Sequence, residues 1–289
     1  MSFIELLQYS PPFFITLIAI LGLLVGSFLN VVIYRLPLMM EREWQAQCDE
    51  INGQNSETLT PLTLSKPRSA CPHCQHAISA IENIPVLSYL FLAGKCRSCK
   101  SRISIRYPII EALTGLLSGV VAYHFGFGWP CIGALLLTWS LIALTFIDVD
   151  HQLLPDTLTL PLLWLGISFN LFEQFTTLEA SVIGALAGYL SLWLVYQAFK
   201  LITGKEGMGY GDFKLLAALG AWLGWSLLPA IILLSSLVGA IVGISLVLIR
   251  KHKRDIPIPF GPYLAAAGWI VLIWGDPITM AYLNWAGLA

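Results

Sequence analysis

The chain is dominated by long stretches that contain no Asp, Glu, Lys or Arg, and this limits its fold more than any other feature. Residues 6–34, 112–147 and 215–249 are such runs, with shorter ones at 157–172, 180–199 and 256–275. A helix crossing the hydrocarbon core of a bilayer needs about 20 apolar residues. The two longest runs are broken by Gly126, Gly128 and Pro130, and by Gly224 to Pro229, so each is read as two helices joined by a turn. The expectation is an all-α polytopic membrane protein of about eight transmembrane helices, with the first span retained and not read as a secretory signal. Composition agrees: 57% of the 289 residues are hydrophobic and 11% charged, against about 25% charged in a soluble domain. That excludes a disordered chain and an ordinary soluble enzyme, and a net charge of −1 excludes nucleic-acid binding driven by composition.

The basic residues test the span count. Nine of the 16 lie between Arg35 and Arg106; Lys200, Lys205 and Lys214 flank the fifth and sixth spans; Arg250, Lys251, Lys253 and Arg254 follow the seventh. With eight spans all of them fall on one side, which the positive-inside rule makes cytosolic, with both termini outside. Gly22-x-x-x-Gly26, Gly184-x-x-x-Gly188 and Gly239-x-x-x-Gly243 place small residues on one helix face and suit close helix packing without indicating any chemistry.

The expected organisation is a first helix (1–35), a polar cytosolic Cys-rich segment (36–107) and a seven-helix membrane domain (108–289). In the polar segment Cys71-Pro-His-Cys74 and Cys96-Arg-Ser-Cys99 are separated by 21 residues, close to the spacing of a zinc ribbon. Two such turns present four thiolates to one tetrahedral ion, and a metal supplies the folding energy that a small insert lacks. A structural Zn2+ site on Cys71, Cys74, Cys96 and Cys99 is the first reading, and a redox or disulfide role the second. His73 and His76 read as surface residues, and Cys48 and Cys131 receive no role.

Asp148 and Asp150 close the third span, and Asp212 opens the sixth after Gly207-Met-Gly209-Tyr-Gly211. A carboxylate at a span's edge is either an interfacial or capping group or a functional one. Asp148 and Asp212 lie at the same depth on different helices by the span count, and the glycines beside Asp212 let a substrate strand approach. Two facing carboxylates share a proton, so one activates water while the other protonates the peptide, as in aspartic proteolysis. Asp150 points away from Asp148 on a helix, Asp156 after Pro155 reads as an N-cap, and Glu111 is either a helix-packing residue, the first reading, or a site residue. His151 and Glu206 stay undecided. The Gly207 to Asp212 stretch lacks the third glycine and the preceding strand of a dinucleotide loop.

Taken together, Gly26 to Arg35, the paired Cys-x-x-Cys turns, Glu82-Asn-Ile-Pro85, the Asp148 segment through Pro155-Asp156, and Gly209-Tyr-Gly-Asp212 make the chain resemble the type IV prepilin peptidases. The resemblance runs over nearly the whole length. It implies Asp148 and Asp212 as the catalytic pair, and prepilins and type II secretion pseudopilins as substrates. Cleavage is implied after a glycine of a basic leader, followed by methylation of the new N-terminus from S-adenosylmethionine. It further implies the bacterial inner membrane, with both termini periplasmic and contact with membrane lipid, and associates Gly94 and its loop with methyl transfer. A proton-coupled transporter using membrane-edge acids is the alternative, disfavoured because the span centres are nearly charge-free. A structural secretion subunit leaves the glycines beside Asp212 unexplained.

Overall fold

The computed structural model describes residues 3–53, 62–250 and 259–285. Lys251, Lys253 and Arg254 of the expected basic loop, and Ile256 at the expected start of the last span, lie outside the described residues. Their regular structure is helical apart from two isolated antiparallel bridges, Ala70 with Ala77 and Lys95 with Arg102, and most of 62–86 and 92–105 is turn and irregular chain. The chain divides into two compact units, Met1–Phe127 and Gly128–Ala289.

The first unit holds α1 (Phe3–Tyr9), α2 (Pro11–Ile51), the short α3 (Leu87–Phe91) and α4 (Arg106–Phe125). Helix α2 does not stop at Arg35, where the polar segment was expected to begin. It continues through the charged stretch to Ile51, carrying exposed Cys48, because Met, Glu, Arg and Gln in that stretch favour helix. Against α4 it packs through Gly22 and Gly26. A Cβ at Gly26 would meet the Cα of Glu111 at 2.8 Å, and one at Gly22 would strike Ser118. At the base of the polar segment the buried Arg35 donates to the carbonyls of Thr63, Leu64 and Pro67.

The second unit holds α5 (Trp129–His151), α6 (Asp156–Asn170), α7 (Leu178–Thr203), α8 (Tyr210–Leu223), α9 (Leu228–Arg250) and α10 (Gly261–Trp285). Helix α8 is its centre, with Asp212, Phe213 and every residue from Leu215 to Leu223 buried. It packs on α7 at the Gly184-x-x-x-Gly188 face, where a Cβ at Gly188 would lie 2.6 Å from the carbonyl of Leu216 and one at Gly184 would strike that of Gly220. A Cβ at Gly239 would stand 3.3 Å from the Tyr263 ring, a tight contact but with a side chain and not with backbone.

Among the described residues, eight apolar helices correspond to the eight expected spans, and six of them (α2, α4, α5, α7, α9 and α10) are long and apolar enough to cross a membrane. Helices α6 and α8 have 15 and 14 residues, about 22 and 21 Å at 1.5 Å per residue, short of a roughly 30 Å hydrocarbon core. Being enclosed by protein, α8 need not match the lipid thickness. Its far end is held instead by polar groups that satisfy the carbonyls a helix C-terminus leaves open. Asn170 donates to Ala221 and Trp222 at 2.8 and 3.0 Å, and Ser181 to Ala221. The Trp222 indole donates to Leu162 at 2.8 Å and stacks on Phe169. Anchored at this end, α8 presents Asp212 at the other.

Candidate active site

Asp148 lies in the last turn of α5, which ends at Gln152 in the left-handed conformation. The chain then turns through Leu154 into α6. Asp212 lies in the first turn of α8. Both are buried, at 5% and 8% exposure. Among the described residues neither forms an ion pair.

Two glycines and one leucine assemble this arrangement. The Gly261 N–H, at the start of α10, donates to Asp148 Oδ2 at 3.0 Å, so this carboxylate fills one of the open donor positions of a helix N-terminus. A Cβ at Gly261 would stand 2.6 Å from that same oxygen and 3.2 Å from Leu154 Cδ1. On the other side of Leu154, a Cβ at Gly211 would stand 2.7 Å from Leu154 Cβ. Leu154 is therefore wedged between the backbone next to Asp212 and the backbone that holds Asp148. The three glycines before Asp212 differ in what they admit. Gly207 faces the Phe199 ring and Gly211 faces Leu154, but the nearest atoms to a Cβ at Gly209 are Asp212 Oδ2 and the Gly211 nitrogen, both at 4.0 Å. Only Gly209 leaves a backbone face open beside an acid.

The surrounding ionisable groups are committed elsewhere. Asp156 is not a side-chain cap: it opens α6 without a capping bond and takes Lys214 Nζ between its oxygens at 2.7 and 2.8 Å. Lys200 donates to Glu206 at 2.8 Å and holds that carboxyl below its ordinary value. Asp150 and His151 are exposed. Gly261 and Leu154 carry no sequence signal of their own chemistry. The nearest hint is Gly261-Pro262 opening an apolar run, a helix-start pattern.

The first unit contains the second candidate centre. The sulfurs of Cys71, Cys74, Cys96 and Cys99 all lie within 4.8 Å of one another, and none is in a disulfide. Two of the separations, Cys71 to Cys99 and Cys74 to Cys96, are 3.8 and 4.0 Å. Four sulfurs around an ion at about 2.3 Å stand roughly 3.8 Å apart, so the cluster fits a tetrahedral metal. Each Cys-x-x-Cys forms the same knuckle. The Gln75 N–H returns to the Cys71 carbonyl and the Lys100 N–H to that of Cys96, with both donors at positive φ. Backbone N–H groups of Cys74 and His73 lower the Cys71 thiol to about 6, and the hydroxyl and N–H of Ser101 lower Cys99. The His76 N–H works to lower Cys74, but burial and the three facing sulfurs outweigh it and push that thiol up to about 11. His73 is outside the cluster, and His76 faces Glu82 at 3.4 Å.

Glu82 accepts from the Ser79 N–H and hydroxyl, which hold it below its ordinary value. Glu111 reaches from α4 to accept the Val86 N–H at 2.8 Å. Val86 sits at φ +59 in a tight turn, with the Leu87 N–H bonded to the Pro85 carbonyl. Such a backbone is rare for a β-branched residue, so Glu111 braces a strained turn as well as packing against α2. Gly94 is buried at φ +66, and a Cβ there would meet the Tyr89 ring at 2.9 Å. Its surroundings are therefore those of a turn under an aromatic ring. Cys131 is buried within α5, away from the other five cysteines in sequence.

Comparison with known proteins places these features in one family. A model described as the bacterial Peptidase A24 N-terminal domain matches residues 20–125, and the type IV leader peptidase family model matches residues 135–244. The prepilin leader peptidase/N-methyltransferase of Aeromonas hydrophila is 60% identical over 97% of this chain and 98% of its own length. Proteins of the same name from Stutzerimonas stutzeri and Pseudomonas aeruginosa are 57% and 58% identical, covering 100% and 99% of both chains. No solved structure matches.

Proposed function

The chain belongs to the type IV leader peptidase family, with leader-peptide cleavage and N-methylation as its two activities, and from that premise we propose that Asp148 and Asp212 are the peptidase's acid pair. One carboxylate takes a proton from a water as that water attacks the scissile carbonyl. The other, protonated, delivers its proton to the carbonyl oxygen; as the resulting diol collapses, the first passes the proton it took from water to the leaving amine and the second recovers one from the diol. The Gly261 N–H occupies Asp148 Oδ2 and leaves its second oxygen for the reaction. The substrate strand lies across the open backbone face at Gly209. The reading rests on one observation above the others: two buried carboxylates from separate helices are held by backbone packed on the two sides of Leu154, with the open face of Gly209 beside Asp212.

The substrates are prepilins, including type II secretion pseudopilins, cleaved at the cytosolic face of the bacterial inner membrane with both termini periplasmic. Lys200, Lys205 and Lys214 around the acid end of α8 support that orientation. Zn2+ on Cys71, Cys74, Cys96 and Cys99 holds the polar segment together. S-adenosylmethionine donates the methyl group, and the methyl-transfer step belongs to the cysteine-bearing segment that Gly94 shapes.

Mass spectrometry of a prepilin incubated with the purified enzyme, with and without S-adenosylmethionine, tests both activities together. The expected products are a trimmed chain without the donor and a trimmed, methylated chain with it. An uncut prepilin overturns the peptidase reading.

A further inference from the structure

An apolar cavity of about 400 Å³ lies in the second unit between α7, α9 and the start of α10. Leu192 and Val195 of α7, Ser236 and Gly239 of α9, and Met208 and Phe260 just ahead of α8 and α10 all line it. We propose that this cavity receives the large apolar side chains of the substrate's own membrane segment, immediately beyond the scissile bond, and so selects substrates that continue as an apolar helix. The proposal rests on the acid-pair reading above.

Continuity with the acids identifies the occupant. Phe260 directly precedes Gly261, whose N–H is on Asp148. Met208 directly precedes Gly209, whose open face lies beside Asp212. The lining therefore includes the two residues adjoining the backbone that borders each carboxylate. A chain lying across Gly209 with its bond between the acids has its next residues over this opening. Depth gives the direction. Val195 and Leu192 stand roughly one and two turns further into α7 than Lys200, so the cavity runs from the acids toward the middle of the span and away from the charged loop.

Size and surface shape decide how the segment is held. About 400 Å³ is at the lower end of ligand-site volumes. It admits a few large side chains and not a helix backbone. The backbone is accommodated outside it, along α9, where Ser236, Gly239 and the exposed Ala240 present a low surface of the kind that lets helices approach closely. No charged residue lines the cavity, so a polar continuation would enter without partners, at the cost of desolvating it. The cavity thus discriminates by the side chains on the far side of the bond, whereas the acids act on the bond itself.

The test uses the full-length purified enzyme with Ser236→Leu and, separately, Gly239→Leu, each filling the cavity from α9. Two substrates are compared: an intact prepilin, and a short soluble peptide that spans the bond and ends two residues beyond it. The expected result is a KM for prepilin raised by about tenfold with kcat little changed, while kcat/KM for the short peptide stays within about twofold of the parent. Prepilin cleavage with an unchanged KM in both variants overturns the proposal and leaves the cavity to lipid chains. Equal loss on both substrates also overturns it, since the damage is then to the fold or the acids. A photo-crosslinking residue at Ala240 should capture prepilin; capture of a second copy of the enzyme would assign the face to self-association and overturn the proposal. Asp148→Asn is run in parallel, and if it still cuts the short peptide the acid-pair reading fails, separately from the behaviour of the α9 variants.

Discussion

Two residues, Asp148 and Asp212, were legible in the sequence for a physical reason: a carboxylate at the end of an apolar run is costly enough to need a purpose. Asp148→Asn and Asp212→Asn are each expected to lower prepilin cleavage by at least about a thousandfold, and the double variant by little more, because the two act as a unit. Asp150→Asn, altering an exposed group on the next face of α5, should keep most activity. If Asp150 proved essential and Asp148 dispensable, the pairing would be wrong. Gly261 was not legible, because its partner is 113 positions away in the chain and a lone glycine announces nothing. Gly261→Ala should be informative. Its Cβ would meet the tip of the Asp148 side chain and not backbone, so the protein should fold while the carboxylate swings off its N–H. A drop in kcat of about ten- to a hundredfold is expected, by analogy with removing one preorganised hydrogen bond, with an unchanged melting temperature. Wild-type kcat would show that Gly261 does not position the acid.

Among the elements, the long apolar helices were plain from the charge-free runs. The short α6 and α8 were harder to size, because hydropathy marks the apolar run and not the depth at which a buried helix begins and ends. The extension of α2 past Arg35 was missed because charge was read as loop, although helix formers fill that stretch. Gly184-x-x-x-Gly188 proved to be a packing face because its contacts are with the backbone of α8, which cannot yield as a side chain can. Gly184→Leu should therefore destabilise the second unit by several kcal/mol, in the range reserved for core overpacking and lost close approach, read as a lowered melting temperature in detergent. The paired Cys-x-x-Cys turns were legible by spacing, and the knuckle bonds at Gln75 and Lys100 explain how a short segment converges four thiols. Protein purified without chelator should contain about one zinc per chain, and Cys71→Ser or Cys99→Ser should lower that content and raise proteolysis of the 62–105 segment. Stoichiometric disulfides with no metal would remove the metal reading.

At the scale of the whole molecule, the candidate acids and the cysteine cluster lie in different compact units of one chain. That separation bears on how the two activities depend on each other. Cleavage must come first chemically, because it creates the amine that is methylated, so the dependence runs through the product and need not run through the protein. Gly94 offers the cleaner break. It is buried at φ +66 beneath the Tyr89 ring and donates its N–H to the Tyr89 carbonyl. A glutamate there must adopt a strained backbone and displace the ring, disturbing the segment between α3 and Cys96, whereas Asp148, Asp212 and Gly261 belong to the second unit. The Gly94→Glu enzyme should still trim a prepilin but leave its new N-terminus unmethylated. Asp148→Asn should give the reverse: no product from intact prepilin, yet methylation of a synthetic chain that is already trimmed. Mass spectrometry of the processed chain separates these outcomes. A trimmed and fully methylated product from the Gly94 variant would take methyl transfer away from this segment. An uncut product would show that proteolysis by the second unit depends on the fold of the first, so that the two centres are coupled through the protein as well as through the substrate.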